Sequence, residues 1–492
     1  MPKRAITFEL ALPPRDPGTP AGLWLCTALR AEILEGRLRP GARLPATRDL
    51  AGQHGLSRGT IVSAFEQLKS EGYLRGSVGA GTYVNEVLPD EWLQVRRTGR
   101  ARPPAPDRAR RNLSHFGRRA RPVPEYESLP PRAFRANLPA LDLFPTTLWA
   151  QVAARRLRRA SASLLLACEP MGHGPLREAV ADHLRASRGV KCSLEQVAIL
   201  SGTQEALDLT ARIFLNPGDR VGLEDPGYPG AANAFEAAGA KIAAVPVDAE
   251  GLDPRSPELR GSRLVYVTPG HQFPLGITMS LSRRLELLEW ARSSDAILFE
   301  DDYDGEYRYS GRPLPALQGL DRDGRVLYAG SFSKVLFPSL RLGYLVVPPD
   351  LVDAFTAAKS VASRHTPLLE QAVLCDFITE GHFGRHVRRM REVYAERWSV
   401  LLEQARRKLT GLLEISGVEA GLQTAGWLCG TMTAEKAAQA AARRNVEVTP
   451  LGSYSRKPMA REGLQLGFAA VDVPEIQRGV EDLATALEEE LS

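Results

Sequence analysis

The stretch VLYAGSFSKVLFPSLRLGYLVV, residues 326–347, holds two apolar runs, Val326–Gly330 and Leu342–Val347, on either side of a polar junction. Short runs of this kind read as strands buried on both faces. Ser331, Ser333 and Lys334 close the first run, and Arg341 follows the lysine by seven residues. A lysine that forms a Schiff base needs hydroxyl neighbours and a nearby cation, which lowers its pKa and can also clamp a phosphate. On its own, Ser-x-Ser-Lys is a common word with no fixed meaning. The surrounding pattern gives it one.

Five further apolar runs lie upstream: Val197–Ser201, Val221–Glu224, Ile242–Val245, Leu264–Thr268 and Ile297–Tyr303. Seven runs separated by helical or loop segments predict an α/β fold with a mostly parallel seven-stranded sheet. Beyond Leu351 the chain is largely helical with scattered strand-like pieces, which suits a smaller α+β domain. Ligands bind at the C-terminal ends of the strands in such sheets. There, Ser201-Gly202-Thr203-Gln204-Glu205 opens a helix, Ala206–Phe214, whose free amides suit an anion. Asp225-Pro226-Gly227 leads to the aromatic Tyr228, and Ala296–Asp304 ends in Glu300-Asp301-Asp302-Tyr303. With a strand period of two, Asp301 and Tyr303 share a face.

The chain has 492 residues, a soft prior for about three domains. Its 43 % hydrophobic and 25 % charged residues exclude a wholly disordered chain. No apolar stretch is long enough to span a bilayer, and Met1-Pro2-Lys3-Arg4 leads into no secretory signal. Five scattered cysteines without a Cys-x-x-Cys pair point to reduced thiols, a cytoplasmic protein and no metal site. The net charge of +5 is a cancellation: the first 122 residues carry +10 and the remaining 370 carry −5. A basic front of this kind is an electrostatic footprint for a polyanion. Ten arginines against the single acid Asp107 lie in 96–122, and the Pro- and Arg-rich stretch 86–135 reads as an extended linker.

The front itself has helical periodicity over Leu23–Leu38 and a second short helix over Ala46–His54. Ser57 stands at an N-cap position ahead of a third helix, with Ile61, Phe65 and Leu68 on its core face. Tyr73–Gly76 and Thr82–Val84 around a Gly-rich turn make a β-wing. Three helices and a wing in a basic unit form a winged helix-turn-helix, which presents the first turn of its third helix to DNA.

The words Gly-x-x-Leu-Pro-x-x-Arg (41–48), Ser-Arg-x-Thr-Ile (57–61) and Glu-Gly-Tyr-Leu (71–74) closely resemble the DNA-binding domain of GntR regulators. That resemblance implies DNA contacts from Arg48, Ser57, Arg58 and Thr60, with the wing near Val78 and Gly79 meeting a minor groove. The order of phosphate-type turn, aromatic, Asp-x-Tyr and Ser-x-Ser-Lys-x6-Arg over 136–492 resembles fold-type I aminotransferases, which use pyridoxal 5′-phosphate (PLP). It implies Lys334 as the Schiff-base lysine and Asp301 on the pyridine nitrogen, with Asp302 as the alternative. Tyr303 would hold the ring oxygen and Tyr228 would stack on the ring. Gly202, Thr203, Gln204, Ser331, Ser333 and Arg341 would hold the phosphate.

Together the two halves look like a regulator of the MocR type. The expected division is a winged helix over 17–85, the linker 86–135 and an aminotransferase-like body over 136–492. The large domain would span about 160–350 and the small domain about 351–492. The resemblance implies a homodimeric regulator that binds operator DNA and senses PLP, an amine or an amino acid through aldimine formation. The alternative is a working aminotransferase with an appended DNA-binding domain. Three departures bear on that choice. Phe273-Pro274-Leu275-Gly276, after His271-Gln272, stands where aminotransferases carry Asn-Pro-x-Gly, a form usual in the regulator branch. Ala167 falls near the tyrosine that reaches a neighbouring subunit's phosphate, and Gln465 falls in the register of the arginine that clamps a substrate carboxylate. Gln cannot supply a bidentate charged pair; Arg456 or Arg461 could stand in for it.

Overall fold

The computed structural model describes residues 10–77, 81–87, 112–122, 130–166, 168–309 and 315–491. The chain divides between Arg111 and Asn112 into two compact units. Gly79, Val78, Ala167 and seven of the ten arginines of 96–122 lie outside the described residues.

In the first unit, helices α1 (Ala21–Leu34), α2 (Thr47–His54) and α3 (Arg58–Ser70) precede an antiparallel hairpin of β1 (Leu74–Ser77) and β2 (Gly81–Val84). The apolar spacing explains the packing. Leu25, Leu29, Leu50, Ile61, Phe65 and Leu68 are all buried in one core, with Leu74 and Val84 of the wing closing it. Ser57 caps α3 as its position predicts, its Oγ accepting from the Thr60 amide at 3.1 Å.

All seven apolar runs of the body are strands: β3 (Val197–Leu200), β4 (Arg220–Asp225), β5 (Lys241–Asp248), β7 (Ser262–Val267), β8 (Ile297–Asp302), β9 (Val326–Ser331) and β10 (Gly343–Val346). An eighth, the two-residue β6 (Gly251–Leu252), is too short to show as an apolar run; it hangs antiparallel on β5. The sheet order is β3-β10-β9-β8-β7-β4-β5-β6, parallel from β9 to β5. β10 runs antiparallel to both neighbours. Its beginning therefore lies at the same edge as the ends of β3, β8 and β9, which is how Arg341 joins residues that follow other strands. Side chains alternate between two cores: Tyr266 and Phe299 pack on one face, Val265, Val267 and Leu298 on the other.

The smaller sheet is formed by β11 (Leu413–Ile415), β12 (Gln423–Leu428), β13 (Thr449–Pro450) and β14 (Gly463–Gly467), all antiparallel, in the order β11-β12-β14-β13. The stretch 86–135 is not extended throughout. Ser114 caps a short helix, His115–Arg119, by accepting from the Gly117 amide at 3.1 Å, and this helix packs on the helix Pro229–Ala238. Ala133 and Phe134 are fully buried, and Phe134 bridges Gly467 of β14. A Cβ at Gly467 would stand 2.0 Å from the Arg135 carbonyl, so the entering chain needs glycine there.

Candidate functional site

The ten body residues that the aminotransferase resemblance assigns to the cofactor (with Asp301 rather than its alternative Asp302) all line one cavity of about 770 Å³. At one end Gly202, with φ of +94°, ends the turn after β3 and starts the helix Thr203–Phe214 without a side-chain cap. Its first amides are thus open to an anion. Ser331, Ser333 and Arg341 face the same end; Arg341 is held by a 3.0 Å hydrogen bond from its Nη2 to the Ser201 carbonyl. Glu205 braces this turn from behind, accepting from the Ser201 amide at 2.6 Å and from the buried Lys359 ammonium at 3.1 Å. Burial opposes ionisation of Glu205, yet the Ser201 amide and Lys359 hold its pKa below the usual value.

At the other end Asp301 is 4 % exposed. Its Oδ2 accepts from the Tyr266 hydroxyl at 2.8 Å, while Oδ1 is buried with no partner. Burial pushes its pKa up to about 7, against the pull of the Tyr266 hydrogen bond. Asp302, the alternative read from the sequence, does not line the cavity. It points away from the cavity, to Arg188 at 2.5 Å and the Tyr328 hydroxyl at 2.5 Å. Lys334 lines the same cavity and donates to the Asn137 carbonyl at 2.7 Å. Tyr228 lies over Gly230, where a Cβ would come within 2.4 Å of its Cζ.

These residues fit PLP. A pyridinium N–H needs an acceptor that nothing else satisfies, and Asp301 Oδ1 is one. A phosphate needs donors, and the hydroxyl of Ser333, buried without a partner, joins the open amides of the helix start. Sequence reasoning missed Tyr266 and Asn137, which also line the cavity. Tyr266 could have been found, since it is the aromatic hydroxyl within the apolar run Leu264–Thr268; Asn137 reaches the site only through the fold. Gln465 is fully buried on β14 and accepts from the Tyr454 hydroxyl at 2.8 Å. Neither Arg456 nor Arg461 replaces it. Arg456 pairs with Glu236 at 2.8 Å and Arg461 with Glu414 at 2.5 Å, both away from the cavity. Lys334 and Arg341 are the cations lining it among the described residues.

On the first unit, Arg48, Ser57 and Arg58 are exposed and Thr60 is half-buried at the start of α3. Ser57 and Thr60 are partly committed to the cap, with their hydroxyls 2.8 Å apart. Arg58 is an exposed guanidinium on the first turn and can reach base edges bidentately. Among the described residues no helix is long and apolar enough to cross a membrane, and no His, Cys, Asp and Glu cluster could hold a metal ion.

Residues 25–84 match the gntR family of bacterial regulatory proteins, and residues 136–483 match aminotransferase class I and II. The chain is 41 % identical to the probable rhizopine catabolism regulatory protein MocR of Rhizobium meliloti, over 96 % of this chain and 94 % of that protein. It is 32 % identical to the pyridoxine biosynthesis transcriptional regulator PdxR of Corynebacterium glutamicum, over 94 % of this chain and 95 % of that one. The kynurenine aminotransferase of Pyrococcus horikoshii, solved in complex with PMP, KYN and KYA, superimposes with a TM-score of 0.69 at 30 % identity. That match covers 74 % of this chain and 92 % of the enzyme. The chain belongs to the MocR-type regulators, transcription factors in which a gntR-family DNA-binding domain is fused to a class I and II aminotransferase body that takes PLP.

Proposed function

We propose that the chain acts as a cytoplasmic homodimer in which loading of the cavity with PLP, alone or together with a primary amine, changes how tightly the two winged helices hold an operator. Bound PLP supplies an electrophilic carbonyl that reacts with amines. The protein's residues do the rest. Arg341, Ser331, Ser333 and the open amides of Gly202, Thr203 and Gln204 hold the phosphate. Asp301 would take the ring N–H, Tyr303 the ring oxygen and Tyr228 the ring face, while Lys334, as the free amine, would present its nitrogen to the carbonyl. Arg58 and Arg48 contact DNA, with Ser57 and Thr60 fixing the first turn of α3. A ligand can shift DNA binding only through different affinities for two states of the body.

One observation carries the regulatory reading over the enzymatic one. The ten residues read as cofactor-binding line one cavity, whereas the position of the substrate-carboxylate clamp is a buried glutamine tied to Tyr454. The intact lysine and acid favour the second reading, a working aminotransferase. Two assays separate them: DNA binding with and without PLP, and turnover of an amino donor with a 2-oxo acid. PLP-dependent DNA affinity without turnover supports the regulator. Turnover near the enzyme median of ~10 s⁻¹, with DNA affinity indifferent to PLP, supports the aminotransferase.

A further inference from the structure

Beside Tyr303 lies a buried pair that the cofactor reading leaves without a task. His271 is 3 % exposed and Asp304 is 1 % exposed. The Asp304 Oδ2 stands 2.8 Å from His271 Nδ1, and the Tyr303 hydroxyl oxygen stands 3.0 Å from the same nitrogen. His271 Nε2 is buried with no partner. The imidazole fills a mould made by two glycines. A Cβ at Gly421 would stand 2.1 Å from its Cε1 and 2.7 Å from Asp304 Oδ2, and one at Gly276 would stand 3.1 Å from Nε2. The segment after Asp304 is joined to the loop before β12 that carries Gly421: the Tyr309 amide donates to the Glu419 carbonyl and the Gly421 amide to the Tyr307 carbonyl, each at 2.8 Å.

One nitrogen thus faces two oxygens, and the protons can be assigned. A lone pair on Nδ1 at 2.8 Å from a carboxylate oxygen would be repelled, so Nδ1 carries the hydrogen and donates to Asp304. Tyr303 then finds no acceptor on His271. Its oxygen lies on the N–H side of the ring, and its own proton must point elsewhere. Tyr303 lines the cavity, which is where that proton can go.

We infer that His271, fixed by Asp304, is a positioning residue that turns the Tyr303 hydroxyl proton into the cavity, toward the ring oxygen of PLP. The inference rests on the reading of this cavity as the PLP site. A hydrogen bond donated to an ionised ring oxygen favours the ionised form. It therefore lowers the pH at which the proton shared by the Lys334 nitrogen and that oxygen is lost. The groups around the Tyr303 hydroxyl are Asp304, Asp301 and Glu224, with Gln423 as a side-chain hydrogen-bond partner; the Tyr309 phenol lies beside Asp304 and Lys334 beside Asp301, and all of them stay in place in the variants below.

The test uses the full-length protein loaded with PLP and follows its visible absorption band as a function of pH. Tyr303→Phe should raise the midpoint by roughly one pH unit, the worth of one charge-assisted hydrogen bond. His271→Phe should raise it in the same direction, the double variant should shift no further than Tyr303→Phe alone, and His271→Asn, which keeps an N–H donor, should recover the wild-type midpoint. A wild-type midpoint in loaded His271→Phe, or additive shifts in the double variant, would overturn the inference. If His271→Phe does not take up PLP, Asp304→Asn decides, because losing the carboxylate frees the imidazole to present its lone pair to Tyr303. A raised midpoint supports the inference and an unchanged one overturns it. A wild-type protein that shows no visible band with PLP would instead defeat the cofactor reading itself.

Discussion

The first turn of α3 and the cavity at the ends of β3, β8 and β9 present their polar groups in opposite ways. Arg48, Ser57 and Arg58 stand in solvent, and their scaffold is closed by apolar side chains such as Ile61 and Phe65. The cavity instead keeps polar atoms out of water without partners: Asp301 Oδ1, Ser333 Oγ and Gln204 Oε1. Each such atom costs about 1–3 kcal/mol until something satisfies it. Solvent therefore satisfies these exposed side chains when the face is empty, whereas the cavity's buried polar atoms gain partners only when it is filled. That difference suits a sensor, since the ligand's binding energy is spent on the part that must change.

The largest expected effect is Lys334→Ala, which should abolish the visible band of the PLP-loaded protein and with it the response of DNA binding to PLP. DNA affinity in the absence of PLP should stay as in the wild type. A variant that keeps both band and response would break the contrast at its centre.

Asp301→Asn comes next. Losing a charged hydrogen bond should weaken PLP binding roughly ten- to hundredfold, read by titrating the absorbance. The same substitution tests the cost of the empty site. The Asp301 pKa is raised by burial from 3.8 to about 7 in the fold, so the folded state binds the proton more tightly than the unfolded chain. Its contribution is full below about pH 4 and is lost as pH rises through 7, a few kcal/mol in all. Glu224 and Glu300, likewise buried and raised to about 7, add in the same direction. The cofactor-free body should lose thermal stability between about pH 4 and 7 (the window set by those shifts), less steeply in Asp301→Asn.

Arg58→Ala should cost DNA affinity about 1–3 kcal/mol and relax sequence preference, with PLP titration unchanged. Fluorescence anisotropy with labelled duplexes measures it. The smallest effect belongs to Ser57→Ala, which removes the α3 cap and about 1 kcal/mol from the first unit. Calorimetry should place that loss in the transition of the winged helix alone, and a shift in the body's transition would show that the two units do not respond separately.

How much of this could be read in advance follows from where the information sits. The strands were legible because burial on both faces demands unbroken apolar runs, and the site was legible because its residues follow those runs directly. The choice between Asp301 and Asp302 was not, because these neighbours put an acid on each face of the strand end. It took Arg188 and Tyr328, distant in sequence, to claim Asp302. Asn137 and the pair His271 and Asp304 stayed hidden for the same reason, since each acquires its partner only when the chain folds back. β6 has two residues and no periodicity to detect. The helix His115–Arg119 was masked by arginine and proline composition, although Ser114 offered a cap signal three residues before Gly117.

The most direct test of the central claim is the affinity of the full-length protein for a duplex from its own upstream region, measured across a PLP titration beside the PLP absorbance. The account predicts that DNA affinity changes over the same PLP concentrations that fill the cavity, and that Lys334→Ala binds the duplex but does not respond. An affinity that stays constant while the absorbance saturates would contradict it.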